Sequence, residues 1–121
     1  MVGVAYSPVF KLFHQAVLNR QQITCWYNGL YREVCPYILG YNDGKEAALV
    51  YQFAGESSRK LPRVGDWRCF WVAEVRDAVT RDGRWYGDSP HSRTQRCVTE
   101  VFVDVNTDVP NQPGRQPSAF E

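Results

Sequence analysis

Apolar residues in the first twenty positions recur at the spacing of an amphipathic α-helix. Within "SPVFKLFHQAVLNRQQ" they fall at Val9, Leu12, Phe13, Ala16 and Val17. These positions share one face of a helix. Ser7 precedes the stretch as a candidate N-cap, and Pro8 suits the first helical position because that residue needs no backbone donor. The pattern predicts a helix over residues 8–20.

From residue 22 onward the pattern changes to strands separated by glycine turns. The stretch "QITCWYNGLYREVCPY" contains Asn28-Gly29, a dipeptide that is typical of two-residue β-hairpin turns. Antiparallel pairing about this turn places Cys25 opposite Arg32. The sequence therefore predicts a hairpin with a defined register.

Arg32 stands out because the hairpin face that it shares is otherwise apolar. The other side chains predicted on this face are Ile23, Cys25, Tyr27, Leu30 and Val34. Arginine is almost never buried without a partner. We therefore expect Arg32 to meet either a counter-charge or an anionic ligand.

The following segments also carry strand and loop patterns. Residues 45–53 alternate between two faces, and residues 54–66 have the Gly, Ser and Pro content of a long loop. Residues 67–75 place two Trp side chains and one Cys on one face, although residues 72–79 fit either a strand or a helix. Residues 96–105 are the clearest strand, because valines alternate with acidic residues.

One helix followed by five or six short strands predicts a mainly β domain built on a small, strongly bent sheet or barrel. A chain of 121 residues is long enough for one domain with a modest core. We expect this domain to span residues 1–105, with its strand-rich part over 22–105. Residues 106–121 hold three prolines without apolar periodicity, which predicts a flexible tail.

Several short motifs follow one another within residues 16–80. They are an opening strand that ends in Tyr27, the run Arg32-x-Val34-x-Pro36, the pair Ile38-Leu39, the turn Asp43-Gly44, Leu49, and Phe70-x-Val72 before Val75. In this order they resemble the WYL domain of bacterial regulators, which is an SH3-like (Sm-like) barrel. The resemblance implies an SH3-like fold and a regulatory, ligand-sensing role, with Arg32 at one of the family's basic ligand-facing positions.

Two positions depart from the pattern of that family. Ala47-Ala48-Leu49 replaces the tripeptide for which the family is named, and Glu74 stands where an arginine is usual. Glu74 is therefore available as a partner for Arg32. Because only about twenty residues precede the barrel, we expect a standalone form without the family's winged-helix DNA-binding domain.

Charge and leader signals limit the classes of partner. Fourteen basic and thirteen acidic residues give a net charge of +1, which argues against bulk attachment to nucleic acid or to an acidic membrane. The N-terminal stretch "MVGVAYSPVFKLFHQAV" lacks the cationic leader and the long apolar run of a signal peptide or membrane span. We expect a cytoplasmic protein with no membrane contact.

The four cysteines lie at positions 25, 35, 69 and 97. They form no Cys-x-x-Cys pair and show no histidine spacing typical of a zinc site. In a reducing compartment this arrangement predicts four reduced, half-buried thiols and no bound metal.

The leading functional hypothesis is a non-enzymatic ligand-sensing module without a cofactor, because no nucleophile, base or metal set has a recognisable signature. Arg32, Glu74 and Arg68 are its candidate site, and the ligand is anionic, a nucleotide or a nucleic-acid phosphate. The basic residues Arg59, Lys60 and Arg63 in the long loop add to this hypothesis, although each of them taken singly fits a solvated surface charge better.

The alternative is a protein-interaction or oligomeric Sm-like barrel. In that case Arg32 and Glu74 form a structural ion pair, and the aromatic-rich surface or the strand edges contact a protein partner or a second copy of the chain.

Overall fold

The computed structural model describes residues 6–87 and 95–105. One helix precedes six strands: α1 (Pro8–Asn19), β1 (Gln22–Tyr27), β2 (Leu30–Asn42), β3 (Lys45–Gly55), β4 (Asp66–Trp71), β5 (Val75–Arg81) and β6 (Glu100–Asp104). A short 3-10 turn, Val72–Glu74, connects β4 to β5. The tail predicted for 106–121 lies outside the described residues, so the predicted domain boundary stays a prediction.

The strands form one antiparallel sheet in the order β4-β3-β2-β1-β5. β1 and β6 share one edge of β2. β1 pairs with the first half of β2, and β6 pairs with the second half. The prediction of a mainly β fold, with one helix before a bent sheet of five or six strands, is confirmed. Among the described residues no ladder joins β4 to β5, so the sheet is bent but unclosed and does not form a complete barrel.

The predicted β1–β2 hairpin is confirmed in its turn and its register. Asn28 and Gly29 both have positive φ angles, 54° and 72°, as a type I′ turn requires. Cys25 lies opposite Arg32. The period-2 pattern thus correctly placed Arg32 on the apolar face of the hairpin.

The inner face of the sheet, which is the face covered by α1, holds the larger core. Phe10 and Phe13 of the helix pack there against buried residues of the sheet, among them Ile23, Val34, Val50, Phe70 and Val75. The helix begins where predicted, since the Ser7 side chain accepts a hydrogen bond from the Phe10 N–H at 3.1 Å. Ser7 also donates to the Glu46 carboxylate at 2.5 Å, which ties the start of α1 to β3.

Residues 72–79, which the sequence left open between strand and helix, form the 3-10 turn and most of β5. The strand predicted over 67–75 therefore ends early, at Trp71. The turn carries the chain from the β3 side of the sheet to the β1 side, so Val72 and Val75 enter the inner core while Trp67 and Cys69 belong to the outer face.

The outer face carries a second core, rich in aromatic rings. Its buried residues are Cys35, Tyr37, Ile38, Ala47, Leu49, Cys69, Cys97 and Val98. Trp85 and Tyr86, which follow β5, pack against them. β3 is therefore buried on both faces, which explains why its sequence alternates only weakly.

The prediction of four reduced thiols is wrong. Cys69 on β4 and Cys97 before β6 form a disulfide across a sequence separation of 28 residues, with 5.5 Å between their Cα atoms. The chain returns over the outer face of β4, a tertiary contact that local spacing does not reveal. Cys25 and Cys35 are free and buried. Because disulfides are rare in reducing compartments, the cysteines do not support the expected cytoplasmic location.

β6 is shorter than the strand predicted over 96–105. The Gln95 side chain hydrogen-bonds both the N–H and the carbonyl of Val98, at 2.9 and 2.6 Å, and this turn delays the strand to Glu100. Gly40 on β2 allows the close approach of β6, because a Cβ at that position would collide with the Glu100 carbonyl. None of the described helices is long and apolar enough to cross a membrane.

Candidate functional site

Arg32 is completely buried in the inner core, with 0% of its surface exposed. Its Cζ lies 5.5 Å from the centroid of the Tyr27 ring and 5.6 Å from that of Phe70. These two rings stack on each other at 4.1 Å. The guanidinium therefore rests against aromatic faces, a contact that gains strength when water is excluded.

Polar groups of the same core accept hydrogen bonds from Arg32. Its Nη1 donates to Gln52 Oε1 at 3.2 Å, and its Nη2 donates to the Tyr27 carbonyl at 3.1 Å. Gln52 is held in this orientation because its amide nitrogen donates to the carbonyls of Ala54 and Glu56. A buried cation with oriented acceptors is built as a structural group rather than as an open ligand contact.

Glu74 does not complete this arrangement. It lies exposed on the 3-10 turn after Trp71, and the part of the chain that the structure describes shows no hydrogen bond or ion pair between Glu74 and Arg32. The physical reason is the break of the strand at Val72, which leaves Glu74 outside the sheet, while Arg32 is buried against Tyr27 and Phe70. The two residues that the sequence proposed as partners are not brought together.

Arg68, the third predicted site residue, is also buried, with 2% of its surface exposed. It forms an ion pair with Asp66 at 3.1 Å. Its other nitrogens donate to Ser57 Oγ at 3.3 Å and to the Lys60 carbonyl at 3.4 Å. Arg68 therefore fastens the loop between β3 and β4 to β4.

This loop, residues 56–65 and here called the basic loop, displays cations at one end of the β3–β4 pair. The side chains of Arg59, Lys60 and Arg63 are exposed. Tyr51 on β3 fixes the far part of the loop, because its hydroxyl donates to the Val64 carbonyl at 2.7 Å. The backbone of the basic loop is thus anchored from both strands.

A cavity of about 440 Å³ lies at the opposite end of the same strand pair. Its lining residues are Lys45, Glu46, Trp71, Ala73 and Glu74. The Lys45 ammonium lies 5.5 Å from the centroid of the Trp71 ring. Sequence reasoning selected Glu74 but missed Lys45 and Trp71, because their contact arises from the β3–β4 register, in which Ala47 pairs with Trp71.

The free thiols have the properties of core residues. Burial raises the pKa of Cys25 to about 12, although the charge of Arg32 opposes this shift. Burial also raises the pKa of Cys35 to about 11, and the Tyr86 N–H that it accepts at 3.4 Å opposes the shift. Both thiols stay protonated at neutral pH, unlike an activated nucleophile.

His14, the histidine that the structure describes, is an aromatic packing residue. His14 on α1 packs edge-on against Phe102, with 4.9 Å between ring centroids. His91 lies outside the described residues. Comparison of the chain with protein-family models, with curated proteins and with solved structures finds no match. The candidate sites of this domain are therefore the two ends of the β3–β4 pair.

Proposed function

We propose that this domain is a non-enzymatic binding module that contacts an anionic ligand, a nucleotide or a nucleic-acid phosphate, through the basic loop. The observation that carries the proposal is the support that Arg68 gives to this loop. A buried guanidinium bonded to Ser57 and to the Lys60 carbonyl holds a backbone from which exposed cations project.

Anchoring matters because a preordered cation loses less conformational entropy when it binds a phosphate. Lys60 and Arg63 supply the exposed charge, and arginine suits forked recognition of phosphate oxygens. In this proposal Arg68 positions the loop and Arg32 stabilises the core beneath it. The resemblance to WYL domains supports a regulatory role for the binding event.

The test is a fluorescence-anisotropy titration of a labelled single-stranded oligonucleotide, with mononucleotides and dinucleotides as competitors. Affinity should fall as salt rises, because each phosphate contact releases counterions. The double variant Lys60→Ala/Arg63→Ala should bind more weakly. Its salt dependence should also be weaker, with the magnitude of the slope of log K against log salt reduced by about 2.

The matched control is Lys11→Ala/Arg96→Ala, which removes one exposed lysine and one exposed arginine from other parts of the surface. It should bind as the wild type does. Equal losses in both double variants, or a wild type that binds none of the probes, would contradict the proposal.

A second candidate function is protein interaction or self-association through strand edges. It is favoured by the unclosed sheet, in which the described part of β4 pairs only with β3 and that of β5 only with β1. β4 is the more suitable edge, because β5 is interrupted by a bulge beside Asp77, whose φ is 53°. Molar mass measured at two protein concentrations tests this candidate. A mass that increases with protein concentration, in a protein that binds no oligonucleotide, would favour self-association over anion binding.

A further inference from the structure

We propose that the cavity beside Trp71 is a binding site for an organic cation, meaning the alkylammonium or guanidinium group of a small molecule. This cavity lies at the Lys45 end of the β3–β4 pair, whereas the basic loop lies at the Gly55 end. Its volume of about 440 Å³ falls within the range that small-molecule sites occupy. The inference is independent of anion binding by the basic loop.

The Trp71 ring is the first element of the site. Indole is the aromatic group that attracts cations most strongly. The Lys45 ammonium already lies over this ring, at 5.5 Å from the centroid. The ring face thus accommodates a cation, and the protein supplies one from its own chain.

The carboxylates of the cavity are the second element. The Glu74 carboxylate is exposed, and none of the residues that the structure describes forms a hydrogen bond or ion pair with it. Glu46 is fixed in place, because its two oxygens accept from the Ser7 N–H at 3.1 Å and from the Ser7 hydroxyl at 2.5 Å. Among the residues that line the cavity, two carboxylates face one ammonium, so the wall carries one excess negative charge, which favours cations over anions. The Arg76 guanidinium lies outside this lining and is held by the Ala73 carbonyl, to which its Nη1 donates at 2.6 Å.

Lys45 makes the site competitive. Its side chain is exposed at the first position of β3, and a lysine stem is flexible enough to leave the ring. An incoming cation would replace the Lys45 ammonium over Trp71 and come close to Glu74. Lys45 therefore acts as an internal competitor for the ligand, and removing its charge should raise the affinity.

The experiment is a titration of the intact protein with choline, followed by the NMR signal of the Trp71 indole N–H. The neutral alcohol 3,3-dimethylbutan-1-ol is the matched ligand control, since it has the same shape without the charge. Sodium chloride at equal concentration controls for ionic strength. Choline should shift the Trp71 signal saturably, and the neutral alcohol should not.

Two exposed substitutions sharpen the test. Lys45→Met should raise the affinity for choline about three- to five-fold, and Glu74→Gln should lower it by a similar factor. Glu56→Gln, which neutralises an exposed carboxylate in the basic loop just beyond the far end of β3, should leave the affinity for choline unchanged. The proposal is overturned if choline shifts Trp71 no more than the alcohol does, or if Lys45→Met fails to raise the affinity.

Discussion

The two faces of the sheet are closed in different ways. The inner face is covered by α1, a regular element with its own cap, and it tolerates the buried charge of Arg32. The outer face is covered by short irregular segments around Trp85 and Cys97, and the Cys69–Cys97 disulfide links the second of these segments to β4. A regular helix can be held by packing alone, whereas a segment with few backbone hydrogen bonds gains more from a covalent link.

The largest expected effect lies on the inner face. Arg32→Ala should lower the free energy of unfolding by about 3 to 5 kcal/mol, because it leaves a cavity beside the stacked Tyr27 and Phe70 rings and removes the donor from Gln52 and from the Tyr27 carbonyl. Urea unfolding followed by circular dichroism measures this loss.

Arg32→Met and Glu74→Ala are the controls for that measurement. The methionine variant should lose less, since it fills part of the space, and Glu74→Ala should change stability by less than about 0.5 kcal/mol because its side chain is exposed. A cost for Arg32→Ala below about 1 kcal/mol would show that the guanidinium is not a structural element of the core.

The next effect concerns the outer face. Replacing both Cys69 and Cys97 by serine should lower the free energy of unfolding by about 3 to 4 kcal/mol, the value expected for a loop of this length. Dithiothreitol should destabilise the wild type similarly and leave the double variant unchanged.

The thiol count gives an independent check on the same crosslink. Titration of the unfolded, unreduced protein should find two reactive groups, those of Cys25 and Cys35. Four groups would mean that the disulfide does not form and that the outer face is closed by packing alone.

The smallest effect should come from the start of α1. Ser7→Ala removes the acceptor for the Phe10 N–H and the donor to Glu46, and should cost about 1 kcal/mol. Ser7→Thr should retain most of that stability. Because the cap serves only the inner face, the loss of unfolding free energy in Ser7→Ala should add to the loss in the disulfide variant. A large deviation from additivity would show that the two faces are coupled.

The elements that the sequence predicted are those specified by local chemistry. Ser7 and Pro8 marked the start of α1, and Asn28-Gly29 fixed both the hairpin and the side of the sheet that Arg32 faces. Each signal depends on residues close together in the chain, where capping, turn geometry and side-chain alternation act directly.

The features that were not predicted arise from contacts between distant segments. The return of residues 95–98 over β4 creates the disulfide, and the β3–β4 register brings Lys45 over Trp71. The 3-10 turn at Val72 is a local exception, and it moves Glu74 out of the strand that the alternation predicted. For Arg32 the sequence correctly indicated a charge that needs partners in the core. It did not indicate that these partners are Gln52, a backbone carbonyl and two aromatic rings.

The length of β2 also has a consequence for the order in which the chain can fold during synthesis. Its first half pairs with β1 across a two-residue turn. On the same edge, its second half pairs with β6, which is synthesised much later. The Thr99 hydroxyl, for example, donates a hydrogen bond to the Tyr41 carbonyl, and these residues are 58 positions apart. Distant pairings of this kind form late, because the chain loses more entropy in closing the longer loop. Until residue 104 has left the ribosome, one edge of β2 therefore stays open to the strands of neighbouring nascent chains, and a translational pause within residues 95–104 would prolong that exposure.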